Sequence, residues 1–203
     1  MKYFGSAGTC STAPHIALRE AGLKFDYVKT DIRAKKFGNG EDYKAINPKG
    51  YVPALLTDDG ELLTENPILQ TWIADRVPEK KLAPPIGTIE RYRFQELLNF
   101  ICSELHKGCF NPMFNPKATE EWKEVLRGNL AARLALLETQ LKGRQYLIGD
   151  AYTLADSYLY VILRWMAHFK IDMAPWPNLQ AHSARIAERA TVKAAVAAES
   201  AAT

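Results

Sequence analysis

The feature that most constrains this chain is a change of hydrophobic period at a proline-rich segment. Before Val77-Pro78-Glu79-Lys80-Lys81-Leu82-Ala83-Pro84-Pro85-Ile86-Gly87, strand-like and helix-like stretches alternate; after it, only the helical period remains. A chain of 203 residues has room for one large domain or two small ones. The switch favours two: an α/β domain over residues 1–80, a linker over 81–86 and an all-helical domain over 87–203.

In the first part, Tyr3-Phe4 is a short apolar strand. A small-residue loop, Ser6 to His15, leads into a helical pattern that Gly22 closes as a C-cap. Phe25 to Ile32 alternates like a strand, and a strand, helix, strand sequence this tight implies parallel pairing with a right-handed crossover. Arg33 to Tyr43 reads as loop and a short helix. Asn47-Pro48-Lys49-Gly50 is turn chemistry. Tyr51 to Thr57 and Glu61 to Thr64 form a hairpin about Asp58-Asp59-Gly60. Asn66 as N-cap and Pro67 at the first turn then open a helix. The predicted order is β-α-β-α-β-β-α.

Beyond the linker, helices are expected over residues 88–109 and 119–142, from Thr153 onward, and over 178–189, with an Ala-rich frayed tail over 194–203. Thr153 and Asp156 form a capping box, a folding device.

Composition narrows the function classes. A formal net charge of +3, with no basic run, argues against nucleic acid and against a membrane surface as partner. Cys10, Cys102 and Cys109 make no CxxC and no metal-ligand spacing, and their odd number suits a reducing compartment. With neither a signal-peptide pattern nor an apolar run of membrane-spanning length, the expected location is cytoplasmic, and no metal is expected.

The chemistry centres on Cys10. A thiol where a helix begins is favoured as thiolate by the helix dipole, although a small buried cysteine is more often inert. A dithiol oxidoreductase needs a resolving thiol nearby, and the sequence after Cys10 runs Ser11-Thr12-Ala13. A single thiol must act alone or with an external one, which points to a small thiol as co-substrate. Val52-Pro53 and Glu65-Asn66 also lie at element ends. Together they offer backbone pairing at Val52, helix N–H groups for a carboxylate and the Glu65 carboxylate for an ammonium, a set that complements a zwitterionic peptide. Taken singly, Asn66 is a cap and Glu65 a charge that complements a helix dipole. Asn99, Ser103 and His106 fall, at about 100° per residue, in one arc of a helix that Phe110 extends.

These residues resemble the bacterial beta-class glutathione S-transferases over nearly the whole chain. The resemblance rests on Gly8-Thr9-Cys10-Ser11 with Pro14-His15, Asn47-Pro48-Lys49-Gly50 before Val52-Pro53, Leu63-Thr64-Glu65, Glu104-Leu105-His106-Lys107-Gly108, and Gly149-Asp150 before Thr153-Leu154-Ala155-Asp156. It implies a thioredoxin-like N-terminal domain, a helical C-terminal domain, a homodimer and a detoxifying transferase that joins glutathione to hydrophobic electrophiles. Cys10, His106 and Ser11 would be catalytic, with Cys10 able to form a mixed disulfide and exchange it with glutathione. Lys35, Val52, a cis Pro53, Glu65, Asn66, Asn99, Ser103 and Glu104 would bind glutathione, Glu104 reaching across the dimer. Phe110, Trp165 and His168 would line the second-substrate pocket. A glutathione-dependent dehalogenase or ether-cleaving enzyme is the nearest alternative, and a non-catalytic binding protein a more distant one. Two positions depart from the family: Asn66 where Gly or Ser is common, and Gly5 where tyrosine is common, which would remove a hydroxyl.

Overall fold

The computed structural model describes residues 1–201. They divide into two units, the first comprising Met1–Ala83 and the chain from Glu188 onward, the second Pro84–Ala187.

The first unit is built on a mixed sheet in the order β4-β3-β2-β1-β5-β6. Its elements are β1 (Lys2–Gly5), α1 (Thr12–Ala21), β2 (Asp26–Asp31), β3 (Lys36–Phe37), β4 (Glu41–Asp42), β5 (Ala54–Leu56), β6 (Leu62–Thr64) and α2 (Asn66–Asp75). β1 runs parallel to β2, with Tyr3 opposite Tyr27, and antiparallel to β5, with Phe4 opposite Ala54. β5 and β6 form the expected hairpin. Side chains alternate across a strand, so Tyr3 and Phe4 serve opposite faces. Phe4 packs on Phe37 and Tyr43, while Tyr3 meets His15 of α1, Phe25 and Tyr27.

One expected helix is replaced. The charged stretch after β2 forms the small β3–β4 ladder and a single 3-10 turn, Tyr43–Ala45. Gly38 and Gly40, at φ 50° and 96°, turn the chain back too tightly for a helix to start.

The second unit is helical. It contains α3 (Ile89–Phe100), a π-helical segment (Ile101–Phe110), α4 (Asn111–Met113), α5 (Glu120–Gln140), α6 (Leu154–Leu163), α7 (Trp165–His168) and α8 (Pro177–Ala187). Thr88 and Thr119 cap α3 and α5 by accepting from Arg91 N and Trp122 N. Asp156 does more than close its capping box. Its carboxylate accepts from Thr153 N, the Thr153 hydroxyl, Leu147 N and His182 Nε2, tying a loop and α8 to the start of α6.

The tail corrects the expected division. Residues 190–201 form a further helix, α9 (Ala190–Ala201), which packs on α1 in the first unit. Buried Glu199 accepts from Thr12 Oγ1 at 2.8 Å and lies 3.0 Å from His15 Nδ1, while Arg189 forks onto Glu20. These anchors order a stretch whose Ala-rich composition alone predicts fraying. Ala202 and Thr203, also within the predicted frayed tail, lie outside the described residues.

Candidate functional site

In the first unit, Val52 and Asn66 bond directly to Cys10, while Lys35 and Glu65 lie on the segments around them. The loop from Ser6 to Ser11 is held by its own side chains. The Ser11 hydroxyl accepts from Ser6 N at 2.9 Å and lies 2.8 Å from Thr9 Oγ1, and Thr9 Oγ1 donates to Ser6 O. Ser11 is fully buried, and its hydroxyl donates to Ser6 O inside the loop. Tyr3 OH donates to Ser11 O from below.

Cys10 is buried, and its Sγ donates to Val52 O across 3.7 Å. The Val52–Pro53 bond is cis, as the resemblance implies. The ladder with β1 starts only at Ala54, which leaves Val52 beside the thiol and outside the sheet. The preceding loop is pinned by Tyr43 OH and Asn47 Nδ2, both donating to Tyr51 O at 2.8 Å, and by Lys35 Nζ, donating to Gly50 O at 2.9 Å. The Lys35 ammonium therefore borders the same loop.

Glu65 sits just before α2 at φ 72°, a backbone region that costs a non-glycine residue about 1–3 kcal/mol and clusters at functional sites. Its carboxylate is exposed and accepts from Lys49 Nζ at 2.8 Å. Asn66 is not the expected cap. It is the first helical residue, buried, and its Nδ2 donates to Cys10 O at 2.8 Å.

In the second unit, Ser103 and His106 lie on the π-helical segment and Asn99 just before it. Asn99 and Ser103 are exposed, with Ser103 Oγ donating to Asn99 O, whereas His106 is buried. Gly108 permits this winding, because a Cβ there would lie 2.7 Å from Ser103 O. Glu104 is paired with Arg133 of the same unit at 3.1 Å.

His106 Nδ1 lies 3.1 Å from Tyr158 OH, and its ring packs on Trp165. Burial, with Lys107 adding to it, pushes its pKa down to about 3. His106 is therefore neutral at physiological pH and offers no positive charge to a thiolate. Phe110, Trp165 and His168 do come together, around Phe114: its ring centroid lies 5.3 Å from Trp165 and 5.2 Å from His168, and Phe110 contacts Trp165 at 5.7 Å.

Against known proteins, residues 7–76 match the glutathione S-transferase N-terminal domain and residues 101–190 the C-terminal domain. The chain is 44% identical over 199 residues to glutathione S-transferase GstA of Escherichia coli O157:H7, covering 98% of each. The chain belongs to the glutathione S-transferases.

Among solved structures, the ternary complex of BphK, a bacterial glutathione S-transferase, superposes with a TM-score of 0.96 at 50% identity, covering 98% of this chain and 100% of that one. The beta-class enzyme of Sphingomonas chungbukensis gives 0.93 at 47%, covering 98% of each. The transferase thus has the fold and the bacterial beta-class kinship that its motifs implied.

Three residues of the transferase were missed by pattern reading. Phe114 follows a proline turn and carries no periodic signal. Tyr158 lies in the helix expected from Thr153 onward and uses its hydroxyl on His106. Gln70 lies four residues after Asn66 on one helix face, a spacing that could have paired them. The missing hydroxyl at position 5 also has a physical reason: a Cβ on Gly5 would sit 2.9 Å from the Tyr27 ring, which fills that space.

Proposed function

We propose that this transferase binds glutathione on its first unit with the ligand sulfur beside Cys10, and conjugates it to small hydrophobic electrophiles. The observation that carries the reading is the 3.7 Å approach of Cys10 Sγ to the Val52 carbonyl. A tripeptide paired along the Val52 backbone would bring its own thiol next to Cys10. Glu65 suits the α-ammonium of the γ-glutamyl end, because its carboxylate already holds an ammonium, that of Lys49. Lys35 and the start of α2 at Asn66 complement the carboxylates.

For the thiol chemistry, Cys10 is read as the covalent partner. Its thiolate attacks a mixed disulfide between glutathione and a second thiol. A bond forms from Cys10 to the glutathione sulfur, and the other sulfur leaves as a thiolate and takes a proton. A second glutathione thiolate then attacks this bond, releasing oxidised glutathione and restoring Cys10. This assignment leaves conjugation to the glutathione thiol itself. The aromatic group of Phe110, Phe114 and Trp165, with His168 beside it, is suited to a flat apolar second substrate. Neutral His106 can only donate or accept a hydrogen bond there.

A homodimer in the cytoplasm completes the proposal. Ile89 and Tyr92 on α3 and Leu136 on α5 are exposed, an apolar set suited to a second copy, and among the described residues no helix is long and apolar enough to cross a membrane. The test is retention on immobilised glutathione followed by turnover with aromatic halides. The wild-type protein should be retained and active, and Glu65→Ala should lose retention. A wild-type protein that neither binds the resin nor turns over would overturn the reading.

A further inference from the structure

We propose that Asn66 and Gln70 form a directional amide relay that positions Cys10, with Gln70 locking the polarity that the Cys10 carbonyl imposes. Asn66 Nδ2 donates to Cys10 O at 2.8 Å, and Gln70 Nε2 donates to Asn66 Oδ1 at 3.1 Å. Both side chains are buried. The direction is forced. A backbone carbonyl can only accept, so Asn66 must turn its NH2 to Cys10. Its oxygen then faces Gln70, which must in turn present its own NH2. Reversing the amides would set oxygen against oxygen at Cys10.

The relay ends on Gln70 Oε1, which is buried with no hydrogen-bond partner among the described residues. An apolar residue at 70 would remove this orphaned acceptor but leave buried Asn66 Oδ1 without its donor, so the glutamine serves the Asn66 amide. What it secures is the Cys10–Ser11 peptide. Within the chain's own turn, Cys10 O accepts from Ala13 N at 3.2 Å. The Asn66 amide adds an anchor from another element, and so fixes where Cys10 carries its sulfur relative to Val52. Asn66 and Gln70 are positioning residues in this account.

The kinetic arm of the test rests on the glutathione reading, and the alkylation arm does not. Full-length wild type, Gln70→Glu and Gln70→Leu are compared in the rate of Cys10 alkylation by iodoacetamide across pH, with Cys10 resolved from Cys102 and Cys109 by peptide mass spectrometry. In Gln70→Glu, the introduced carboxyl can donate to Asn66 while protonated, as the native amide does. Once ionised it repels Asn66 Oδ1, turns that amide around and sets its oxygen against the Cys10 carbonyl.

Gln70→Glu should therefore match wild type at low pH and depart from it through one added ionisation. Above that ionisation, kcat for disulfide exchange should fall about fivefold, the equivalent of one lost hydrogen bond. KM for glutathione should stay within about twofold. Gln70→Leu should lose rate at every pH, with no added ionisation, and it carries the test should Gln70→Glu fail to fold. Parallel profiles in all three proteins, with only thermal stability changed, would overturn the relay. Failure of the wild type to bind glutathione would instead overturn the glutathione reading and leave the alkylation result standing.

Discussion

At the scale of single residues, the environment of a side chain decides what its chemistry can be. His106 is the clearest case. The sequence identifies an imidazole within a family motif, but its charge state depends on the walls that Tyr158 and Trp165 build around it. The unfolded chain takes up a proton near the ordinary histidine value of 6.5, while the folded protein resists until about pH 3. Between those values the unfolded state binds more protons, so stability falls as pH falls, by at most about 1.4 kcal/mol per pH unit. Denaturant unfolding at a series of pH values should show this slope in wild type and lose it in His106→Asn, which keeps a polar partner for Tyr158. An unchanged slope in the variant would mean that His106 titrates normally. Ser11 and Asn66 carry the same lesson. Both residue types were legible, but the first is spent inside its loop and the second on the Cys10 carbonyl, pairings that only the folded backbone defines.

At the scale of elements, the hydrophobic period located most of the structure and failed where the backbone departs from it. The strands, the hairpin about Asp58-Asp59-Gly60 and the capped starts of α3, α5 and α6 follow from turn and cap residues. The π-helical segment does not. Its apolar residues fit an ordinary α-helix, and only the approach of Ser103 O to Gly108 reveals the wider winding. Gly108→Ala should therefore destabilise the protein, the reverse of an ordinary helical Gly→Ala exchange, which normally stabilises. Overpacking of this kind costs about 1–3 kcal/mol, visible as a lower melting temperature. A melting temperature equal to or above that of wild type would show that the segment can rewind as an α-helix.

At the scale of the whole molecule, the division into an α/β unit and a helical unit was legible from the proline-rich linker. The return of the C-terminal helix to the first unit was not, because its anchors, Glu199 and Arg189, are single polar residues in an Ala-rich stretch whose partners lie far back in sequence. That return places a buried carboxylate on the helix that follows Cys10, where Thr12 and His15 satisfy it. Breaking such a buried group from its partners typically costs about 3–5 kcal/mol, so α9 belongs to the framework of the first unit.

The central claim is that Cys10 bonds the glutathione sulfur in disulfide exchange and is not needed for conjugation. Cys10→Ala tests it most directly, assayed side by side with wild type for aromatic-halide conjugation and for reduction of a mixed disulfide. The account predicts conjugation retained within about tenfold and disulfide reduction abolished. Loss of both activities with glutathione affinity unchanged would contradict it and make Cys10 a group that only tunes the bound thiol.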